Sequence, residues 1–143
     1  MKKIVLDTNV LLISLPHASP YRPIFDNLLS GKFILLITED IFQEYLEIIA
    51  QKTTAAIADN IGRALNQLVN VTKVTAFYKW NLITDDPDDN KFVDCAISGN
   101  AHFIVTNDKH FNILTQIEFP TVNVLNADTF LKILQRNQTN SNS

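Results

Sequence analysis

The chain of 143 residues carries a formal net charge of −3, and 46% of its residues are hydrophobic and 9% aromatic. That length suits one domain, and the composition is too hydrophobic and too weakly charged for a disordered chain. A single cysteine, Cys95, excludes an intramolecular disulfide framework and a zinc site built from several cysteines. No apolar run approaches ~20 residues, the length that spans a bilayer, and Asp7 ends the first run too early for a signal peptide. We therefore expect a soluble domain located in the cytoplasm.

Apolar runs and helical patterns alternate along the chain. The first apolar run is read as a buried strand, and the first helical pattern stops at Gly31. In chain order, strands are predicted at residues 3–6, 33–37, 71–76, 103–106 and 121–125. Helices are predicted at residues 21–30, from the N-cap Thr38 to Ile49, at 54–69, from Pro87 to Ile97, and at 127–134.

Strands separated by helices predict a parallel sheet that is covered on both faces. We therefore expect an α/β fold, a three-layer α/β/α sandwich with a central, mainly parallel sheet of five strands. The domain is predicted to span residues 1–136, followed by a polar, disordered tail at 137–143. Only three glycines occur, and they do not cluster, which excludes a glycine-rich phosphate-binding loop.

Two carboxylates follow predicted strands closely. Asp7 comes directly after the first strand, and Asp108 comes two residues after the fourth. In an open α/β sheet, ligands bind beyond the carboxyl ends of the strands, so a catalytic or ligand-binding group belongs there. Each aspartate could equally cap the helix or turn that follows it.

A third group of acids precedes the helix predicted to begin near Pro87. Four of the five residues at 85–89 are aspartates, more than interaction with a helix dipole requires. Two carboxylates ~4 Å apart repel by about 4 kcal/mol at an effective dielectric near 20. A fold that brings Asp7, Asp108 and part of this run together therefore needs a cation. Hard oxygen ligands, with no Cys or His cluster to compete, select Mg²⁺ or Mn²⁺ over zinc.

The helix after the second strand offers a fourth acid. Glu44 lies between the apolar positions Ile41 and Tyr45, where a helix flanking the sheet would turn a side chain toward the carboxyl edge. The other acids of this helix are expected on its solvated face: Glu39, Asp40 and Glu47.

Three stretches surround the acids at the predicted strand ends and helix start: IVLDTNV at 4–10, DPDDNKFVDCA at 86–96 and IVTNDKHF at 104–111. They resemble the first, central and late motifs of PIN-domain proteins, and Glu44 falls where that family has a helical glutamate. The central stretch is most similar to a bacterial subgroup regarded as toxins of toxin–antitoxin pairs. The resemblance extends from Lys2 to about Leu134, nearly the whole chain.

The resemblance implies an Mg²⁺- or Mn²⁺-dependent endoribonuclease on a five-stranded parallel sheet. It also implies RNA as the substrate, a cognate antitoxin protein as a partner and self-association as a homodimer. Carried over by position, the residues of the acidic site are Asp7, Glu44, Asp89 and Asp108.

The central motif leaves its metal ligand open. Asp94 is a further metal-binding candidate because the subgroup has an acid at that position. Asp89 and Asp94 lie about 140° apart around an ideal helix, so they cannot face one crevice equally. Asp88, one position before Asp89, is the alternative register.

The alternative function is a catalytically silent PIN-like module that binds RNA or protein; the complete set of acids argues against it. A phosphatase of the haloacid-dehalogenase type needs a second aspartate where this chain has Asn9. Among the other residues, Cys95 is expected to be buried, and His110 to be an exposed loop histidine. Tyr78 and Trp80 could stack on bases, although a single tryptophan after a strand is expected in the core.

Overall fold

The fold is built around a five-stranded parallel sheet. The computed structural model describes the backbone of residues 1–141 and the side chains of residues 1–137. The strands are β1 (Lys3–Leu6), β2 (Ile34–Ile37), β3 (Val71–Lys73), β4 (Phe103–Val105) and β5 (Val124–Leu125). Their spatial order is β3-β2-β1-β4-β5, and each neighbouring pair is parallel. The predicted α/β fold with a parallel five-stranded sheet is confirmed.

Six α-helices connect and follow these strands within the described residues. They are α1 (Thr8–Ser14), α2 (Arg22–Leu29), α3 (Glu39–Lys52), α4 (Ala55–Gln67), α5 (Asn90–Ser98) and α6 (Ala127–Ser141). Two 3-10 segments, Pro87–Asp89 and Lys109–Gln116, precede α5 and follow β4. Helix α1 is not predicted from the sequence, because an apolar run as short as that at residues 10–13 does not distinguish a helix from a strand.

The central strand is covered on both faces. Ile4, Val5 and Leu6 are all fully buried, although successive side chains of a strand point to opposite faces of the sheet. Helices must therefore pack on both faces, which confirms the predicted three layers.

The carboxyl ends of β1 and β4 form the natural position for a site. The chain passes from β1 to β2 and β3 on one side of the sheet, and then to β4 and β5 on the other. The strand order thus reverses between β1 and β4, and ligand-binding crevices of open α/β sheets lie at such a reversal. The backbone N–H of Asp7 donates to the Val105 carbonyl at 3.0 Å, which holds Asp7 at the edge of the sheet.

Helix α3 is fixed beside this edge at two points. The Thr38 hydroxyl accepts a hydrogen bond from the Ile41 N–H at 3.3 Å, so Thr38 is the N-cap that the sequence predicts. One turn later, the buried Tyr45 hydroxyl donates to the Leu6 carbonyl at 2.6 Å. This bond ties α3 to the end of β1 and places the neighbouring Glu44 at the carboxyl edge.

Several predicted boundaries differ from the structure. β3 ends at Lys73, three residues early, and β5 begins at Val124, three residues late. Residues 74–86 form neither helix nor strand. Pro87 starts a 3-10 turn, and the α-helix begins only at Asn90. The reason is local: the Asn90 side chain bonds back to the chain at Ile83, which closes a loop instead of extending a helix.

The C-terminal segment continues a helix further than predicted. The predicted tail covers residues 137–143, but α6 includes residues up to Ser141, and residues 142–143 lie outside the described part of the chain. None of the helices within the described residues is both long enough and apolar enough to cross a bilayer.

Candidate metal centre

Asp7 and Asp108 are linked through one hydroxyl. Thr106 Oγ1 donates to Asp7 Oδ2 at 2.7 Å, and Thr106 Oγ1 also accepts a hydrogen bond from the Asp108 N–H at 3.0 Å. Burial raises the pKa of Asp7; the Thr106 hydrogen bond opposes this shift, and the charges of Asp108 and Glu44 add to it. Two strand ends thus deliver two carboxylates that feel each other's charge.

Asp108 also caps the 3-10 segment that follows it. Its Oδ1 accepts from the His110 N–H at 2.9 Å, and His110 Nδ1 lies 3.3 Å from the same oxygen. His110 Nδ1 is 3.9 Å from Asp89 Oδ2, beyond hydrogen-bond distance. The cap turns this imidazole toward the acids, although about 45% of the side chain is exposed, in line with the predicted exposure.

Asp89 has a buried carboxylate oxygen that no hydrogen bond within the described part of the chain satisfies. Its Oδ2 is buried, and no group among the described residues donates a hydrogen bond to it. Burial raises the pKa of Asp89 to about 7, and the charges of Asp86, Asp108 and Asp7, together with a side-chain hydrogen bond to Asp108, act in the same direction. A buried carboxylate oxygen with no partner is costly, so this atom marks a place where a cation or a proton is required.

The segment before α5 holds Asp89 in place. Asp86 begins the 3-10 turn by accepting a hydrogen bond from the Asp88 N–H at 3.3 Å. The buried Asn90 amide both donates to the Ile83 carbonyl and accepts from the Ile83 N–H, each at 2.9 Å. This closed loop fixes the turn that aims Asp89 inward.

Glu44 has partners on both oxygens. Thr8 donates its hydroxyl hydrogen to Oε2, and Lys91 Nζ lies 2.6 Å from Oε1. Burial lowers the pKa of Lys91, but its bonds to Glu44 and Asp88 outweigh that effect and raise it, which keeps the ammonium charged. Glu44 therefore lies at the carboxyl edge as predicted, with a counter-ion supplied by the start of α5.

The three acids that the central motif left open have different surroundings. The Asp88 side chain is 76% exposed and pairs with Lys91 at 3.1 Å, whereas that of Asp89 is 15% exposed and faces Asp108. Asp94 is buried and accepts a hydrogen bond from the Trp80 N–H at 3.1 Å. Burial raises the pKa of Asp94, opposed by the Trp80 hydrogen bond and by Lys79.

Four side chains form a group that could hold a metal ion. One potential ligand atom from each of Asp86, Asp89, Asp108 and His110 lies within 4.8 Å of the others. The three carboxylates suit Mg²⁺ or Mn²⁺, and the unpartnered oxygen of Asp89 fits the same requirement. Sequence reasoning predicted two of these residues; it missed Asp86, which was indistinguishable from its neighbours in the acidic run, and it placed His110 in an exposed loop.

Comparisons with known proteins agree with this architecture. A family model described as PIN domain matches residues 3–110, and the chain therefore belongs to the PIN-domain family. The crystal structure of VapBC2 from Rickettsia felis bound to a DNA fragment from their promoter is similar in fold. It superposes with a TM-score of 0.59 and 18% sequence identity, covering 87% of this chain and 98% of that one. No curated protein matches this sequence.

Proposed function

We propose that this PIN-domain chain is a metal-dependent endoribonuclease that hydrolyses RNA phosphodiester bonds with Mg²⁺ or Mn²⁺. The observation that carries the proposal is the buried, unpartnered oxygen of Asp89, surrounded by Asp86, Asp108 and His110 at the reversal of the strand order. His110 Nδ1, 3.9 Å away, is too distant to donate a hydrogen bond to that oxygen, and a site that takes up a divalent ion leaves such an oxygen available.

The chain's own groups divide the work. Asp86, Asp89, Asp108 and His110 would hold the ion, and Asp7 faces them from β1 with its orientation fixed by Thr106. A bound divalent ion lowers the pKa of a coordinated water and offsets the charge that develops on the phosphate oxygens.

Glu44 and Lys91 complete this arrangement on the side facing α3. Lys91 is positively charged and stands beside the acids, where it can attract a phosphate of the substrate. Glu44, held by Thr8 and Lys91, can accept a hydrogen bond from water on that side. Asp94 acts at a distance: it positions the segment before α5 through Trp80.

We further propose that the chain is the toxin of a toxin–antitoxin pair, with an antitoxin protein as its partner. The similarity of fold to VapBC2 and the membership in the PIN-domain family support this role. Self-association as a homodimer remains a prediction.

The test is cleavage of a mixed-sequence single-stranded RNA in Mn²⁺, in Mg²⁺ and in EDTA. We expect cleavage in either metal, none in EDTA, and a loss of roughly 100-fold or more in Asp7→Asn. The matched control is Asp59→Asn, the same change on the exposed surface of α4, which should cut like the unmodified chain.

Two results would contradict the proposal in different ways. Equal cutting by Asp7→Asn would overturn the placement of Asp7 in the catalytic site. Absence of cutting by every protein, combined with the absence of an Mn²⁺ site that responds to Asp7→Asn, would favour the silent binding module over the nuclease.

A further inference from the structure

An exposed group of aromatic side chains lies on the segment between β3 and α5. Phe77 is 93% exposed and Tyr78 is 63% exposed, while Trp80 is half-buried. Phe119, which is 84% exposed, approaches Trp80 from the loop that precedes β5. Trp80, expected in the core from the sequence, is only half-buried, because the residues at 75–81 are exposed or partly buried and do not extend β3.

The aromatic cluster, defined here as Tyr78, Trp80 and Phe119, is arranged edge to face. The ring centroids of Tyr78 and Trp80 are 4.6 Å apart with planes inclined by 61°, and those of Trp80 and Phe119 are 6.3 Å apart at 83°. In an edge-to-face pair, the two rings do not cover each other's faces completely. A further planar ring, such as a nucleobase, can therefore stack on a face that stays uncovered.

The aromatic cluster is fixed relative to the acids. The Trp80 N–H donates to Asp94 on α5 at 3.1 Å, and three residues later both backbone groups of Ile83 bond to the Asn90 amide. Asp94 follows Asp89 by five residues, about 7.5 Å along a helix axis. Helix α5 therefore carries Asp94, the anchor of the aromatic cluster, and is directly preceded by Asp89, its N-cap residue and an acid of the candidate metal centre.

A cavity of about 430 Å³ adjoins the same segment and the start of α5. Lys79, which stands between the two aromatic residues in sequence, and Lys91 line it and supply positive charge. Three of its four lining carboxylates already have partners: Glu39 with Lys73, Asp88 with Lys91, and Asp94 with the Trp80 N–H. Lys91 is already paired with Glu44 and Asp88, so Lys79 is the lining lysine that can contact a phosphate next to the aromatic residues in sequence.

We propose that the aromatic cluster binds single-stranded RNA by stacking on its unpaired bases, with Lys79 contacting the backbone; this rests on the proposed ribonuclease function. Aromatic rings interleaved with lysines are how sequence-tolerant single-strand binding surfaces are built. The centres of protein–protein interfaces, in contrast, are depleted of lysine. The cluster would hold the strand on one side of the scissile phosphate.

Trp80 provides a direct readout because it is the chain's only tryptophan. The Asp7→Asn chain, in Mg²⁺, is titrated with a mixed-sequence single-stranded RNA while tryptophan fluorescence is recorded. Stacking should quench the emission, and a fully paired RNA of the same length should not, because its bases are unavailable.

Variants in the same background test the neighbouring rings. Tyr78→Ala and Phe119→Ala should each weaken binding by about tenfold, and Tyr78→Phe should bind normally because it keeps the ring. Val69→Ala, at an apolar residue that is 99% exposed and precedes β3, is the matched control and should have no effect. In the otherwise unmodified enzyme, Tyr78→Ala should raise KM and leave kcat unchanged.

The outcomes separate this inference from the proposed function. Unchanged emission and unchanged affinity in the ring variants, alongside metal-dependent cleavage, would overturn the aromatic cluster as an RNA site and leave the nuclease intact. Quenching with ring-dependent affinity supports the inference even where no cleavage is found. Ring variants that lose an antitoxin protein but bind RNA normally would identify a protein-docking surface and overturn the inference.

Discussion

Glu44 and Asp89 reach the same edge of the sheet but meet opposite surroundings. Both oxygens of Glu44 are engaged, by the Thr8 hydroxyl and the Lys91 ammonium. Asp89 Oδ2 is buried without a hydrogen bond, and burial raises the pKa of this carboxyl to about 7. Lys91 thus neutralises the charge of Glu44 within the fold, whereas the charge of Asp89 can be neutralised only by a bound cation or a proton.

The difference arises within one turn of the chain. Asp89 and Lys91 are two residues apart at the start of α5, and two residues in a helix point about 200° apart. Lys91 accordingly reaches toward α3, whereas Asp89 faces Asp108. Acids in one crevice therefore need not contribute equally to the binding of one ion. Three predictions test this difference between Glu44 and Asp89.

The largest expected effect is on metal affinity. Asp89→Asn should weaken Mn²⁺ binding, measured by calorimetry, by more than the ~100-fold that loss of an outer partner can cost, and Glu44→Gln by about 10-fold. Asp88→Asn is the matched control, since this neighbouring carboxylate is exposed and already paired with Lys91. Equal losses for Glu44→Gln and Asp89→Asn would contradict the unequal division of the site.

The second effect is on stability as a function of pH in EDTA. Because the pKa of Asp89 rises from about 3.8 to about 7 on folding, the folded chain binds more protons than the unfolded chain between these values. Stability from this group is therefore lost as the pH rises through that window and is level above it. Solvent screens part of the effect, so we expect about 1–2 kcal/mol between pH 5 and pH 8.

Urea unfolding of the unmodified chain and of Asp89→Asn at the two pH values measures this term. Asp89→Asn should have the larger free energy of unfolding at pH 8, and the difference in this free energy between the two proteins should be smaller at pH 5. A gap that widens toward pH 5 would mean that Asp89 has a stabilising partner in the folded chain.

The smallest effect concerns the built-in cation. Lys91→Met removes a positive charge that repels a cation bound beside the acids. The repulsion between two unit charges ~4 Å apart in water is about 1 kcal/mol, so its loss should tighten Mn²⁺ binding roughly fivefold. Lys132→Met, the same change at an exposed residue of α6, should bind as the unmodified chain does. Weaker binding in Lys91→Met would show instead that Lys91 holds Glu44 in place for the metal.

Much of the fold was predictable because its signals are local. The strands alternate with helices that bury one face each, and the cap at Thr38 and the stop at Gly31 follow from single residues. The positions of Asp7 and Asp108 followed as well, since parallel strands end at one edge. The helix α1 was not predictable, because an apolar run of this length is compatible with several structures. The end of β3 at Lys73 was not predictable either, because Val74 and Ala76 continue the pattern of the strand in the sequence.

The sequence by itself predicted that several acids would meet at the carboxyl edge of a parallel sheet and that a cation would offset their charge there. Only the tertiary structure decided which of these acids lie together, because that depends on side chains distant in the chain. Thr106 orients Asp7 through a hydrogen bond, and Lys91 forms an ion pair with Glu44. The structure likewise added Asp86 and His110 to Asp89 and Asp108. The number of acidic residues in a segment can be counted in a sequence. Whether each of them is paired with a positive charge depends on distances in the folded chain.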